Sequence, residues 1–280
     1  MGKIIAICNQ KGGTGKTTSS VNLATYFAIH QKKVLLVDLD PQANATSGVG
    51  INRHSIKKST YHVLLEELDV KEVLQPTIIS NLFIAPANLD LTGAEIELVG
   101  SLGREYRLKR ALAKERDNFD FILIDSPPSL GLLTINGLCA ADSILVPVQC
   151  EYYALEGLTQ LLSTIDLVKN NLNPNLHVEG VFLTMADFRT NLSREVIQEV
   201  KNFFKDKVYK TIIPRSIKLG EAPSFGKPIA LYDKDSVAAQ KYDELSREIL
   251  GIAAIETRLD NSEAEIKESI VESSEGKDGE

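Results

Sequence analysis

The chain has 280 residues, 43% of them hydrophobic and 25% charged, the balance of a soluble protein that buries a core as one large domain or two small ones. Its three cysteines, Cys8, Cys139 and Cys150, lie far apart without CxxC spacing, which excludes a disulfide scaffold and fits a reducing cytosol. The net charge of −7 sits mostly in residues 251–280, with nine acids and three bases, while residues 185–228 hold nine Lys or Arg against five acids and are the one basic region to test for nucleic acid.

No run approaches ~18 uninterrupted apolar residues, so no membrane-spanning helix is expected. The opening MGKIIAIC enters a strand-like run, so no secretory leader is expected, and Gly2 lacks the Ser or Thr at position 6 that myristoylation needs. In chain order, the patterning predicts a strand over 3–8, a helix over 16–30, strands over 33–40 and 81–87, and a helix over 98–116. A strand over 119–127, a helix over 132–140, a strand over 143–149 and a helix over 155–170 follow, then a strand over 177–184, a helix over 194–204 and a strand over 208–214. The strands are apolar on both faces and alternate with helices, which predicts an α/β fold with a doubly wound, mostly parallel sheet flanked by helices. No linker interrupts residues 1–250, so they are read as one domain. Residues 251–280 are polar, acidic and free of aromatics, and are expected to be a disordered or frayed tail.

The stretch NQKGGTGKTT, residues 9–18, carries the first chemistry. A phosphate loop reads Gly, four residues, Gly, Lys, Ser or Thr, and here the first glycine is replaced by Gln10, followed at once by a second lysine, Lys11. The context is a strand, a glycine turn and a helix. Gly12, Gly13 and Gly15 are expected to take positive φ and turn their N–H groups, with those of Thr14, Lys16 and Thr18, toward a nucleotide's phosphates. Lys16 is expected to reach the β and γ phosphates of ATP and the Thr17 hydroxyl to ligate Mg²⁺. Two predicted strands end in acids. Asp125 fits a metal-holding role with Thr17, and Asp40 is the candidate for orienting the attacking water, with a second role at the metal. Asp38 reads as a supporting group behind it. The reaction expected is hydrolysis of ATP, with Asp40 and Lys16 as catalytic residues.

KGGTGKTT (11–18), DLDPQANAT (38–46), IDSPPSLGLLT (124–134) and PVQCEYYALEGL (147–158) together resemble the ParA/Soj chromosome-partitioning branch of the deviant Walker A ATPases, over residues 1 to about 250. The resemblance implies that Lys11 reaches across a face-to-face homodimer to the nucleotide of the other subunit, so that ATP drives dimerisation. It implies that IIPRSIKLGEAPS (212–224) borders the adenine, with Pro214 and Ser216 as candidate contacts, Ser216 standing where the family has Asn. It places Glu151 and Tyr152 near the dimer face. It further implies non-specific binding of double-stranded DNA by the dimer through Arg189 and Lys218, with Arg194, Lys201, Lys205, Lys207, Lys210 and Arg215 nearby in sequence. A ParB-like centromere-binding protein is the implied stimulating partner, with a cytoplasmic, nucleoid-associated location and no membrane contact. A MinD-like division-site regulator would end in a basic amphipathic helix, whereas this tail is acidic. An ATP-gated repressor is the remaining alternative, though an operator-binding helix-turn-helix does not precede the first predicted strand.

Overall fold

The computed structural model describes residues 1–151 and 154–253, and the side chains of all of these except 154–157. Tyr152 and the tail beyond 253 therefore lie outside the described residues. Eight strands form one sheet: β1 (Lys3–Ile7), β2 (Val34–Asp38), β3 (Gln75–Pro76), β4 (Leu82–Ala85), β5 (Phe121–Asp125), β6 (Ser143–Gln149), β7 (His177–Ala186) and β8 (Val208–Pro214). Their order is β3-β4-β2-β5-β1-β6-β7-β8, and every pairing is parallel except β3 with β4. The α-helices are α1 (Lys16–Ile29), α2 (Asn44–Gly48), α3 (Thr60–Leu65), α4 (Leu91–Glu97), α5 (Arg107–Ala113), α6 (Leu132–Ala140), α7 (Ala154–Asn171), α8 (Asn191–Phe204), α9 (Ile217–Glu221), α10 (Ile229–Tyr232) and α11 (Val237–Leu250).

The doubly wound reading holds because successive residues of each central strand serve opposite faces. Ile4 and Ala6 of β1 join Leu35, Val37, Ile122 and Ile124 in one core, whereas Ile5 and Ile7 join Leu36, Leu123 and the inward face of α1 in the other. Each fully buried Ile or Leu of this kind stabilises by about 1.5–3 kcal/mol. On the α1 side the Phe27 ring meets Phe121 at 4.9 Å between centroids.

Several elements differ from expectation: the short helices α2, α3, α4, α9 and α10 were not expected, and three further differences bear on the site or the sheet edges. The predicted helix over 98–116 is broken into 3-10 turns at Leu98–Gly100 and Arg104–Tyr106, with α-helix only from Arg107. Gly103, in the left-handed region at φ +64°, cannot continue a right-handed helix. The short strand β3 was not expected; it pairs only Gln75 and Pro76. Helix α11 was also not expected, although its signal is present: Ser236 caps its start, accepting from the Ala239 N–H, and Ala238, Ala239, Tyr242 and Leu245 are buried at helical spacing. The helix lies on α1 and on β8, where it finishes the sheet edge. Both oxygens of Glu248 accept from that edge, from the backbone N–H groups of Lys210 at 2.7 Å and Thr211 at 3.1 Å.

Candidate active site

The carboxyl ends of β1, β2 and β5 adjoin at the centre of the sheet, with Asp125 in register with Ile7 on one side and Asp38 on the other. This is where a doubly wound sheet leaves a crevice for ligand. The loop after β1 is anchored there. The Asn9 side-chain amide donates to the Pro147 carbonyl at 2.7 Å, its oxygen accepts from the Lys11 N–H at 3.1 Å, and the Thr184 hydroxyl donates to the Thr14 carbonyl at 2.9 Å. Gly13 and Gly15 have φ of +75° and +87°, as expected, and Gly15 is the residue from which α1 springs. Gly12 departs from expectation: its φ is not positive, and the nearest atom to a side chain placed there would be 4.0 Å away on Pro128. Neither a positive φ nor a close neighbour within the chain therefore requires a glycine at position 12.

The two lysines of the loop have opposite surroundings. Lys16 is 6% exposed and its Nζ donates to the Lys11 carbonyl at 3.1 Å. Burial lowers its pKa, against the opposing pull of Asp125, Cys8 and Asp40. Lys11 lies at the surface, its Nζ 3.5 Å from Glu151 of the same chain. Glu151 also accepts from the Gln149 amide at 2.6 Å and pairs with Arg215 at 3.2 Å, so it gathers two cations at the rim of the crevice.

The three aspartates are unequal. Asp125 is fully buried; its Oδ1 accepts from the Ser20 hydroxyl at 2.8 Å, and Oδ2 is buried without a partner. Burial and the neighbouring Asp38 push its pKa well up, against the opposing pull of the nearby Thr17 side chain. An orphaned, destabilised carboxylate oxygen beside a threonine hydroxyl fits a hard divalent cation, whose charge removes the penalty. Among the described residues no group of three His, Cys, Asp or Glu is placed to hold a metal, so such a cation would be completed by phosphate oxygens and water. Asp38 is likewise buried and raised, first by desolvation. Asp40 is 7% exposed; its N–H donates to Asp38 Oδ1 at 3.1 Å and its Oδ1 accepts from the Gln42 N–H at 2.9 Å.

Beside the loop, a cavity of about 230 Å³ is lined by Gly15, Thr18, Met185, Pro214, Ser216 and Tyr242 among others. It brings together Thr18, Pro214 and Ser216, three of the residues expected to contact nucleotide. It also adds two residues that sequence reasoning missed. Tyr242 belongs to the unrecognised α11 and bonds the Ser19 hydroxyl at 2.9 Å. Met185 has φ of +53° where the pairing of β7 with β8 shifts register, a feature no local sequence signal announces.

Arg189 and Lys218 follow the carboxyl ends of β7 and β8. Both are exposed, and both are paired: Arg189 bonds the two Asp187 oxygens at 2.8 and 2.7 Å, and Lys218 lies 3.5 Å from Glu221 and 5.7 Å from the centre of the Tyr232 ring. Asp187 is held at about 2 by that hydrogen-bonded guanidinium. Lys201, Lys205, Lys207 and Lys210 are exposed along the end of α8 and the start of β8. The cysteines are buried thiols, as their apolar surroundings predict, and burial pushes Cys150 up to about 12.

A glycine-turned loop between the first strand and the first helix, a buried lysine at that helix's first residue and buried aspartates at adjoining strand ends define a P-loop nucleotide-binding protein. The model of an AAA domain matches residues 2–178. The sporulation initiation inhibitor protein Soj of Bacillus subtilis is 58% identical over 249 residues, covering 89% of this chain and 98% of that protein. The chromosome partitioning protein ParA of Myxococcus xanthus is 53% identical over 250 residues, covering 89% of this chain and 88% of that one. Among solved structures, cobyrinic acid a,c-diamide synthase from Mycobacterium smegmatis with bound ADP and magnesium matches with a TM-score of 0.79 at 38% identity, covering 89% of this chain and 94% of that one. The chain belongs to the ParA/Soj family of chromosome-partitioning ATPases.

Proposed function

We propose that the domain over residues 1–250 is an ATP-driven switch that partitions DNA, forming a homodimer on ATP and releasing it after hydrolysis. The observation that carries this reading is the divergence of the two loop lysines. Lys16 is buried within the field of Asp125 and Asp40, where it would hold the β and γ phosphates of ATP from its own subunit. Lys11, on the same short loop, is held at the surface by a partly exposed Glu151, a pair of the kind that contributes little and exchanges readily. A cation so placed is available to the nucleotide of a second subunit, which ties dimerisation to ATP.

Thr17 and Asp125 would hold Mg²⁺, which when bound neutralises phosphate charge. The N–H groups of residues 12–18 cradle the phosphates, Asp40 orients the attacking water, and Pro214 and Ser216 border the base in the adjoining cavity. The exposed cations after β7 and along α8, with Arg189 and Lys218, form the surface for double-stranded DNA. Two subunits double that surface, so the dimer binds far more tightly than the monomer. A ParB-like centromere-binding protein stimulates hydrolysis, and the protein works in the cytoplasm on the nucleoid, with residues 251–280 as a solvating acidic tail.

The test is DNA binding measured with ATP, ADP and no nucleotide, at two salt concentrations, on full-length and tail-deleted protein. Binding with ATP alone, falling steeply with salt, is expected. Equal affinity in all three nucleotide states rejects the switch.

A further inference from the structure

The loop that carries Asp40 has no capping side chain of its own. It leads into α2, which begins after Ala43, a residue whose methyl can accept nothing and whose φ of +53° lies in the left-handed region. A non-glycine residue stays there only where its surroundings fix it. Within the loop the Ala43 N–H donates to the Asp40 carbonyl at 2.8 Å and the Gln42 N–H to the Asp40 carboxylate at 2.9 Å; the contacts that tie the loop to the sheet come from the ends of β2 and β4. The Asp38 Oδ2 accepts from both the Thr46 N–H, at 2.8 Å, and the Thr46 hydroxyl, at 2.7 Å, serving as a remote cap for α2. Its Oδ1 accepts from the Asp40 N–H, so one carboxylate holds both ends of the loop from 40 to 46. The Thr46 hydroxyl accepts in turn from the Ala87 N–H, at 3.0 Å, just past β4. Asp38 and Thr46 are both fully buried, so water does not compete for these bonds.

We propose that Thr46 is a positioning residue for ATP hydrolysis: its hydroxyl locks the Asp40 loop to the ends of β2 and β4 and so fixes the bearing of the Asp40 carboxylate. The inference rests on the reading of Asp40 as the group that orients the attacking water. Hydrolysis needs that carboxylate within a fraction of an ångström of its working place, whereas ATP binding depends on the glycine loop and Lys16, which Thr46 does not touch. The hydroxyl therefore acts on the chemical step and not on affinity.

Four variants decide it, with steady-state ATPase rates, binding of a fluorescent ATP analogue and thermal midpoints measured on each. Thr46→Val keeps the shape and removes both hydroxyl bonds; Thr46→Ser keeps both. With Thr46→Val, kcat is expected to fall about 10- to 100-fold while KM stays within about 3-fold of wild type, and Thr46→Ser is expected to stay within about 3-fold in both. Asp38→Ala removes the acceptor outright and decides the matter if Thr46→Val fails to fold. Asp40→Ala tests the reading beneath. Wild-type turnover in Asp40→Ala overturns that reading. An inactive Asp40→Ala beside full kcat in Thr46→Val, or in Asp38→Ala, overturns the positioning role alone. Loss of kcat in Thr46→Ser equal to that in Thr46→Val, or kcat and analogue binding falling together, also overturns it, since methyl packing or a collapsed site would then be the cause.

Discussion

Lys11 and Lys16 stand five residues apart on one loop, and their environments differ. Lys16 has lost its water and is surrounded by carboxylates, so its charge is strongest toward a phosphate placed in the crevice. Lys11 keeps its water and a replaceable partner in Glu151. Lys11→Ala is therefore expected to leave ATP binding intact while removing the ATP-dependent dimer, as followed by light scattering; an intact dimer rejects action on a second subunit. The three thiols make a second expectation at this scale. Burial raises Cys8 and Cys139 to about 11 and Cys150 to about 12, above the roughly 8.5 of an unfolded chain. Neutral thiols cost nothing below pH ~8, but above it only the unfolded chain loses those protons, so folding stability falls as pH rises from about 8.5 toward 11. The native protein at pH 8 should leave all three unreactive to a thiol reagent and expose three on unfolding. Labelling of the folded protein would contradict the buried assignment.

Among the elements, the sheet edges show how a parallel sheet of this size avoids further pairing. At one end β3 is two residues long and includes Pro76, which lacks a ladder donor. At the other, α11 lays Glu248 across the N–H groups of Lys210 and Thr211. Glu248→Ala should lower stability by about 1 kcal/mol, the lower range for a lost charged acceptor because water can reach an edge strand. The urea midpoint would report it, and an unchanged midpoint would remove the edge-capping role. Helix α11 also delivers Tyr242 to the cavity beside the loop, so the element that covers the sheet edge also lines that cavity.

For the molecule as a whole, the seven parallel strands end on one side of the sheet, with the phosphate loop near the middle and the cations after β7 and β8 toward one end. Charge at that end is partly spent within the chain, since Arg189 is held by both oxygens of Asp187. Two variants test its use. Arg189→Glu should spare ATP binding and weaken DNA binding, with a shallower salt dependence. Asp187→Asn, which removes the competing charge, should tighten DNA binding. Unchanged affinity in both places the DNA surface elsewhere.

What the sequence alone determined is what local residue order can encode. The alternation of two-faced apolar strands with helices dictates the sheet, and the loop at 9–18 with Asp40 and Asp125 at strand ends declares a phosphate site, because glycine, lysine and strand-end carboxylates have few other reasons to occur in that order. Seven of the eight strands were legible for that reason, while Gly103 interrupted a helical period that pattern alone extended to 116. Of the cavity beside the loop, Pro214 and Ser216 were singled out by the resemblance, whereas Tyr242 and Met185 reach it only through the packing of α11 and a register shift in the sheet. The fate of each charge was not legible at all. Whether Lys11 faces Glu151, whether Arg189 is spent on Asp187, and whether Asp38 holds a loop through Thr46 depend on which side chains meet across the fold. Hydrogen bonds and ion pairs of only about 3 Å reach read nothing of sequence distance, so the tertiary structure alone decided them.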